Sequence, residues 1–362
     1  MYELLGQLAG IAERIKGIEG SRQKLGVFLR EIAENADIAG DDVLEQKLVY
    51  GVTANPLSKT RVIGIDGGLS QHSYHGMDLI LTRAVAAVFD YVDGKLSGVD
   101  YWPSAIVTPT LVVISDPYSD EEWTASSSLE RQRNEIETAL NAFKTFNPDL
   151  ILLDGSIVPH GSDRPAKGSA AITRYKAVVE IFNTLYGATG GRLAGCVEDS
   201  RGRRFCEIIA EKILGKIKRP TVAELQKILA GTRDTNLLYH ILKVGERTCV
   251  FKFAKPEHPI LTDLGVNDSI FCFYLKTAEY DRPLRIEFYS EPGKAVETAE
   301  RIASMVLSLC GHSGYGFPAP LIEADVRAKL QERDVSILHD QLVDRVGITP
   351  SLLKLRRESR PL

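Results

Sequence analysis

Two carboxylates dominate the chemistry this sequence could perform. Arg61-Val62-Ile63-Gly64-Ile65-Asp66-Gly67-Gly68 and Asp149-Leu150-Ile151-Leu152-Leu153-Asp154-Gly155-Ser156 share one pattern: a short apolar run, then Asp, then Gly. An apolar run of that length bounded by turn residues predicts a buried, parallel-type strand. Ligands of open α/β sheets collect beyond the carboxyl ends of such strands. Two neighbouring acids repel, and one is driven toward its neutral form unless a cation lies between them. Oxygen-only ligands suit Mg²⁺ or Mn²⁺. Two such ions about 4 Å apart can activate water and steady a leaving oxygen in phosphodiester cleavage. The glycine after each acid would let an ion or a phosphate approach the backbone.

A third acid is expected from the helix between these strands, which carries Glu130, Glu135 and Glu137. With Ile136 and Leu140 facing the core, Glu137 borders both and is the favoured ligand. Glu135, one turn before Ala139, is nearly as well placed, and the sequence leaves the two open. Asp325 offers a fourth carboxylate, unless it serves only as an acid at a helix N-terminus. His72 and His75 lie in a Gln-His-Ser-Tyr-His stretch and could touch phosphate or metal, although exposed loop histidines are commoner. Arg201, Arg203 and Arg204 could grip a phosphate backbone; a solvated basic loop is the plainer alternative.

The elements that must position these groups follow from periodicity. Residues 1–38 read as helical, with Leu4, Leu5, Leu8, Ile11 and Ile15 and then Leu25, Phe28 and Ile32 at three- and four-residue spacing. Strands are expected over 61–66, 77–91, 105–114, 149–154 and 192–197, with a hairpin signal at Asp93-Gly94. A helix over 127–146 ends at Asn147-Pro148, and another spans 174–186. A basic segment from Ser200 leads into a helix bearing Lys212, Lys216, Lys218 and Arg219. Further strands fall near 249–253, 271–275 and 284–288, followed by helices over 294–309 and after Phe317. This order predicts an α/β protein with a ribonuclease H-like mixed sheet flanked by helices, carrying an N-terminal helical arm and C-terminal α/β elaborations. The expected divisions are an arm at 1–60, a catalytic domain at 61–330 and a helical tail at 331–362.

Composition excludes little. With 44% hydrophobic and 25% charged residues among 362, the chain is ordinary for a globular protein. No window approaches 18 uninterrupted apolar residues, and the first residues lack the charge and apolar pattern of a signal peptide, so a cytoplasmic location is expected. Five scattered cysteines without a C-x-x-C pair suggest buried thiols rather than a disulfide framework or a zinc site. A net charge of −4 does not mark a nucleic-acid binder, but it leaves room for a local basic groove.

Taken together, Ile65-Asp66-Gly67-Gly68, the helix around Glu135 and Glu137, and Leu152-Leu153-Asp154-Gly155-Ser156 resemble the NurA nucleases, partners of the HerA DNA-pumping ATPase. So do Val197-Glu198-Asp199-Ser200-Arg201, Gly231-Thr232-Arg233-Asp234-Thr235 and Phe317-Pro318-Ala319-Pro320-Leu321-Ile322-Glu323-Ala324-Asp325. The resemblance implies a Mn²⁺- or Mg²⁺-dependent nuclease, a homodimer that degrades single-stranded DNA as exonuclease and endonuclease, 5′ to 3′. It further implies work beside a HerA-type ATPase in end resection at double-strand breaks. Asp66, a helix glutamate and Asp154 would then be metal ligands. Phe317 and Asp325 stand where the family pattern has Tyr and His; Asp can still bind metal, but Phe cannot donate a hydrogen bond.

Two other functions compete. Gly64-Ile65-Asp66-Gly67-Gly68 resembles the first phosphate loop of actin-like and sugar kinases, although Leu69-Ser70-Gln71 is not the usual polar continuation and no second phosphate loop follows. A non-catalytic adaptor docking on an ATPase through the N-terminal helices is the other.

Overall fold

The computed structural model describes residues 2–33, 35, 37–114, 119–217 and 222–355. Lys218 and Arg219 of the expected basic helix lie outside the described residues, as do the side chains of Leu4 and Leu5. In chain order the elements begin with α1 (Tyr2–Ile32), β1 (Val49–Gly51), β2 (Lys59–Ser73), β3 (Asp78–Val92), β4 (Lys95–Trp102), β5 (Thr110–Ile114), α2 (Asp120–Phe146) and β6 (Leu150–Asp154). Next come α3 (Ile172–Thr189), β7 (Leu193–Val197), α4 (Arg204–Lys212), α5 (Val222–Ala230), α6 (Asp234–Leu238), β8 (Glu246–Thr248), β9 (Phe251–Lys252) and α7 (Pro259–Leu264). The chain continues through β10 (Ile270–Lys276), β11 (Leu284–Tyr289), α8 (Ala295–Leu309), α9 (Ala319–Ala328) and α10 (Glu332–Val346). Among the described residues no helix is long and apolar enough to cross a membrane.

The chain divides into two compact units, each discontinuous in sequence. Unit one comprises 1–55, 196–256 and 268–318; unit two comprises 56–195, 257–267 and 319–362. These boundaries do not coincide with the expected divisions at 60 and 330.

Unit one orders its strands β1-β8-β10-β11, with β9 on β10, and β10 and β11 pair antiparallel. Its core joins Leu25 and Leu29 of α1 to Phe205, Ile208 and Ile209 of α4 and to Phe251, Cys272 and Tyr274. α1 is one helix rather than two, because Gly20-Ser21 stays helical. Only its C-terminal half is anchored; Leu8, Ile11 and Ile15 are about half exposed. Four of the five cysteines are buried, and all are free thiols.

Unit two carries the order β7-β6-β2-β3-β4, with β5 beside β4 on the same edge of β3. β2 and β3 form an unbroken antiparallel pair from Lys59↔Val92 to Ser73↔Asp78. The hairpin from β3 to β4 turns on Asp93 and Gly94, both with positive φ (49° and 75°), as a two-residue I′ turn requires. β4 itself, exposed over most of its length, escapes the alternation test that found its neighbours. Helices cover both faces of β2. A Cβ on Gly64 would lie 2.3 Å from the Pro320 carbonyl, and one on Gly68 would lie 2.0 Å from the Ala328 oxygen, so α9 presses directly on that face. Gly67 points to the opposite face, toward α2.

Candidate active site

The position of Asp154 is set by register. β6 runs parallel to β2 with Val62↔Leu150 through Ile65↔Leu153, and the next residues in step are Asp66 and Asp154. Asp149 locks that register at the far end: its N–H donates to the Arg61 carbonyl at 2.9 Å and its carboxylate accepts from the Arg61 N–H at 2.9 Å. Parallel neighbours in step project to the same face about 4.8 Å apart. β6 then ends and the chain turns at Gly155, whose φ of +108° disfavours any side chain. β2 differs from expectation here. It does not stop at Asp66 but continues seven residues along β3, so the acid lies where parallel pairing ends rather than at the strand terminus. His72 is consequently a strand residue, not a loop residue. It is half-buried, with its ring 4.6 Å from Tyr74, which stacks on His339 of α10 at 4.8 Å. His75 is exposed.

The helix acid comes from α2, which starts seven residues before the expected point because Ser119 caps it by accepting the Glu122 N–H. Its three glutamates take different partners. Glu130 bonds Arg174 of α3 at 2.6 Å, and Glu137 pairs with Arg133 at 3.0 Å as a half-exposed surface pair. Glu135 is 5% exposed and bonds Arg131 at 2.8 Å. The favoured glutamate is therefore displaced: Glu137 lies 200° around the helix from Glu135 and is not brought to the aspartates. The sequence centred the core stripe on Leu140, which is only half-buried. The buried stripe instead follows Leu129, Gln132, Ile136, Ala139 and Phe143, with Glu135 and Ala142 on its flank.

Gly67 is what lets Glu135 reach β2. A Cβ there would stand 3.0 Å from Glu135 Oε2 and 3.2 Å from its Cβ. The glycines after Asp66 thus face protein rather than an open phosphate loop, which removes the main support for a kinase-like site. Burial pushes the Glu135 carboxyl up to about 8; Arg131 opposes the shift, and the charges of Asp66 and Asp154 add to it. Asp66 is also raised, first by burial and then by Asp325, against the opposing Gly67 N–H and Arg131. Asp325 is exposed and lies within α9, two turns from its start, not at its opening.

The structure thus brings Asp66, Glu135, Asp154 and Asp325 into one electrostatic neighbourhood inside unit two. Among the described residues no three His, Cys, Asp or Glu side chains stand close enough together to hold a metal ion as they are. The donor set nevertheless fits a hard divalent cation. It is oxygen-only, and Glu135 is raised first by burial and then by the like charges of Asp66 and Asp154, which Arg131 offsets only in part.

Sequence reasoning missed Arg131, whose i, i+4 spacing to Glu135 is the same as that of the surface pair Arg133 and Glu137. It also missed Asp163, a buried acid that accepts from Gln132 Nε2 at 2.7 Å, one helical turn from Glu135.

The expected basic grip is divided. Arg201 is exposed, and Arg203 is exposed with one bond to the Leu229 carbonyl. Arg204 is a correction: it is buried and bound to Asp42 at 2.6 Å, a structural ion pair that is not presented to a ligand. Asp234, from the Gly-Thr-Arg-Asp-Thr stretch, caps α4 by accepting the Phe205 and Cys206 N–H groups at 3.0 and 2.8 Å. Phe317 is buried in unit one, its ring 6.0 Å from Tyr315.

A mixed α/β sheet presenting clustered carboxylates between covering helices defines a candidate metal-dependent hydrolase. Comparison with known proteins narrows this. The NurA domain matches residues 60–330, and the chain belongs to the NurA family. No curated protein matches significantly. The fold is similar to the crystal structure of the NurA nuclease from Sulfolobus solfataricus, with 14% identity, TM-score 0.61, and 97% of this chain and 100% of that one covered. It is also similar to a NurA structure bound to dAMP and manganese, with 10% identity, TM-score 0.58, and 98% and 100% covered.

Proposed function

We propose that the chain is a metal-dependent DNA nuclease whose ion is held by Asp66, Glu135 and Asp154, with Asp325 at the rim. The observation that carries this reading is Glu135, buried against Gly67 beside two aspartates whose charges raise it. Family membership supports it, as do fold neighbours described as a nuclease and as bound to dAMP and manganese. Mn²⁺ or Mg²⁺, as one ion or two, would neutralise phosphate charge and supply a hydroxide-like water at neutral pH.

The protein's own part is placement. The parallel register sets Asp66 and Asp154 side by side, the Gly67 N–H orients the Asp66 carboxylate, and α2 delivers Glu135 through the gap that Gly67 leaves. Packing fixes the strand and helix backbones that carry these groups, so taking up an ion would ask for side-chain adjustment rather than a change of fold. Arg201 and Arg203 are the proposed contacts to the DNA backbone, with His72 a weaker candidate because it is half-buried.

The fuller reading is a cytoplasmic homodimer acting 5′ to 3′ on single strands beside a HerA-type ATPase in end resection. It rests on the family resemblance. The central test uses end-labelled single-stranded DNA with Mn²⁺. D66N and D154N should each lose on the order of 10²–10³-fold or more in cleavage rate, the scale of removing one electrostatic stabiliser, while keeping the wild-type circular dichroism and thermal midpoint. Undiminished cleavage by both variants overturns the proposal.

A further inference from the structure

Arg131 is a positive charge that acts on both Asp66 and Glu135. Its Nη1 donates to Glu135 Oε2 at 2.8 Å, and its side chain is 31% exposed against 6% for its partner. Four residues apart on one helix, Arg and Glu usually form a solvated pair of little consequence. Arg133 and Glu137 on the same helix are such a pair, with side chains 52% and 45% exposed. Arg131 and Glu135 are not. Both press on the bare backbone of Gly67, whose absent Cβ would stand 3.4 Å from Arg131 Cγ and 3.2 Å from Glu135 Cβ.

From this geometry we infer that Arg131 is the resident counter-cation of the carboxylate cluster and competes with a divalent ion for Glu135. The inference rests on the metal-site reading above. A guanidinium keeps its charge at any physiological pH, so it offsets part of the cluster's negative charge throughout that range. A divalent ion binding Glu135 Oε2 would need that oxygen at about 2.0–2.2 Å. Guanidinium and ion would then share one oxygen, within a few ångströms of each other and largely out of water, where like charges repel strongly. The guanidinium must therefore turn away when the ion binds, and its part-exposed position allows that. Arg131 is a positioning residue: it holds Glu135 in place while the metal is absent and yields the site when the metal arrives. Once freed, its planar fork of donors is suited to a phosphate oxygen.

Competition has a sign that can be measured without any cleavage assay. Full-length wild type, R131Q, R131K and the control R133Q are titrated with Mn²⁺ by electron paramagnetic resonance of the free ion. Thermal midpoints are recorded in chelator and in saturating Mn²⁺. R131Q is expected to melt lower than wild type in chelator, to gain a larger rise from Mn²⁺, and to bind the ion several-fold more tightly. R131K, which keeps charge but loses the fork and is the safer variant to fold, should fall between them. R133Q should match wild type. Equal or weaker Mn²⁺ binding by R131Q and R131K overturns the inference while leaving the metal site standing. If neither wild type nor the Arg131 variants bind Mn²⁺, the metal reading fails and this inference fails with it.

Discussion

The two units bury charge in opposite ways. In unit one, Arg247 is 1% exposed and forks onto both Glu45 oxygens at 2.7 and 2.8 Å, while Glu45 also accepts the Val250 N–H. Arg285 bonds Glu287 at 2.7 Å, and Asp234, fully buried, accepts from two backbone N–H groups and the Tyr274 hydroxyl. In these clusters each acid meets a matching cation or set of donors. In unit two, four carboxylates share one neighbourhood in which Arg131 acts on Asp66 and Glu135, and burial still raises both of those acids above the ordinary carboxylate range. Desolvation costs both regions energy. One balances it internally, which builds structure; the other balances it only in part.

That contrast can be broken most directly at α2. E135Q should lower Mn²⁺-dependent cleavage on the order of 10²–10³-fold and weaken Mn²⁺ binding without loss of thermal stability, because a neutral amide replaces a carboxyl whose ionised form burial disfavours. E137Q should change neither. Equal effects of the two would dissolve the distinction between Glu135 and its half-exposed neighbour.

In unit one the expected loss is of folding instead. D234A strands the donors of Phe205, Cys206 and Tyr274 and should destabilise the protein by about 3–5 kcal/mol, measured by urea unfolding. A D234A protein of unchanged stability would show that this acid is not structural. Close packing gives an intermediate case. G68A drives a methyl group into the Ala328 carbonyl and should cost about 1–3 kcal/mol in the same assay. G67A meets the more flexible Glu135 side chain and should cost less stability, weakening Mn²⁺ binding instead. A larger folding loss in G67A than in G68A would contradict the assignment of the two faces.

The smallest effect is in pH. Burial raises Glu135 to about 8, so between the ordinary carboxylate range and pH 8 the folded, metal-free state holds a proton that the unfolded chain has lost. Stability from this group is complete below the unfolded value and declines as pH rises through the folded one. The metal-free thermal midpoint should carry that component. Mn²⁺ affinity should move the other way, rising toward pH 8 as the competing proton leaves. In E135Q both trends should flatten; if they persist unchanged, the titrating group is elsewhere.

Much of unit two was legible because its strands are apolar runs with sharp ends. The Asp66 and Asp154 strands, β3, the Asp93-Gly94 hairpin and the Asn147 stop all follow from local rules. Three features, two of them in unit two and one in unit one, did not. α2 begins in a polar stretch around Ser126, Ser127 and Ser128, where a cap outweighs composition. β2 runs past Asp66 because β3 offers it a partner over all fifteen residues. Arg204 resembled a ligand for phosphate because Asp42, 162 residues earlier in the chain, is invisible as its partner in sequence.

By itself, then, the sequence determined the element types around the two Asp-Gly pairs and the kind of chemistry two neighbouring carboxylates can do. Both depend on side-chain periodicity and backbone preference within a few residues. Tertiary structure decided which helix glutamate joins them, where Asp325 stands, and that the glycines beside Asp66 receive helices rather than phosphate. The choice of glutamate depends on which face of α2 meets β2 at Gly67, and the place of Asp325 on how α9 packs against Gly64 and Gly68 on the other face. No local pattern around a single glutamate carries that information.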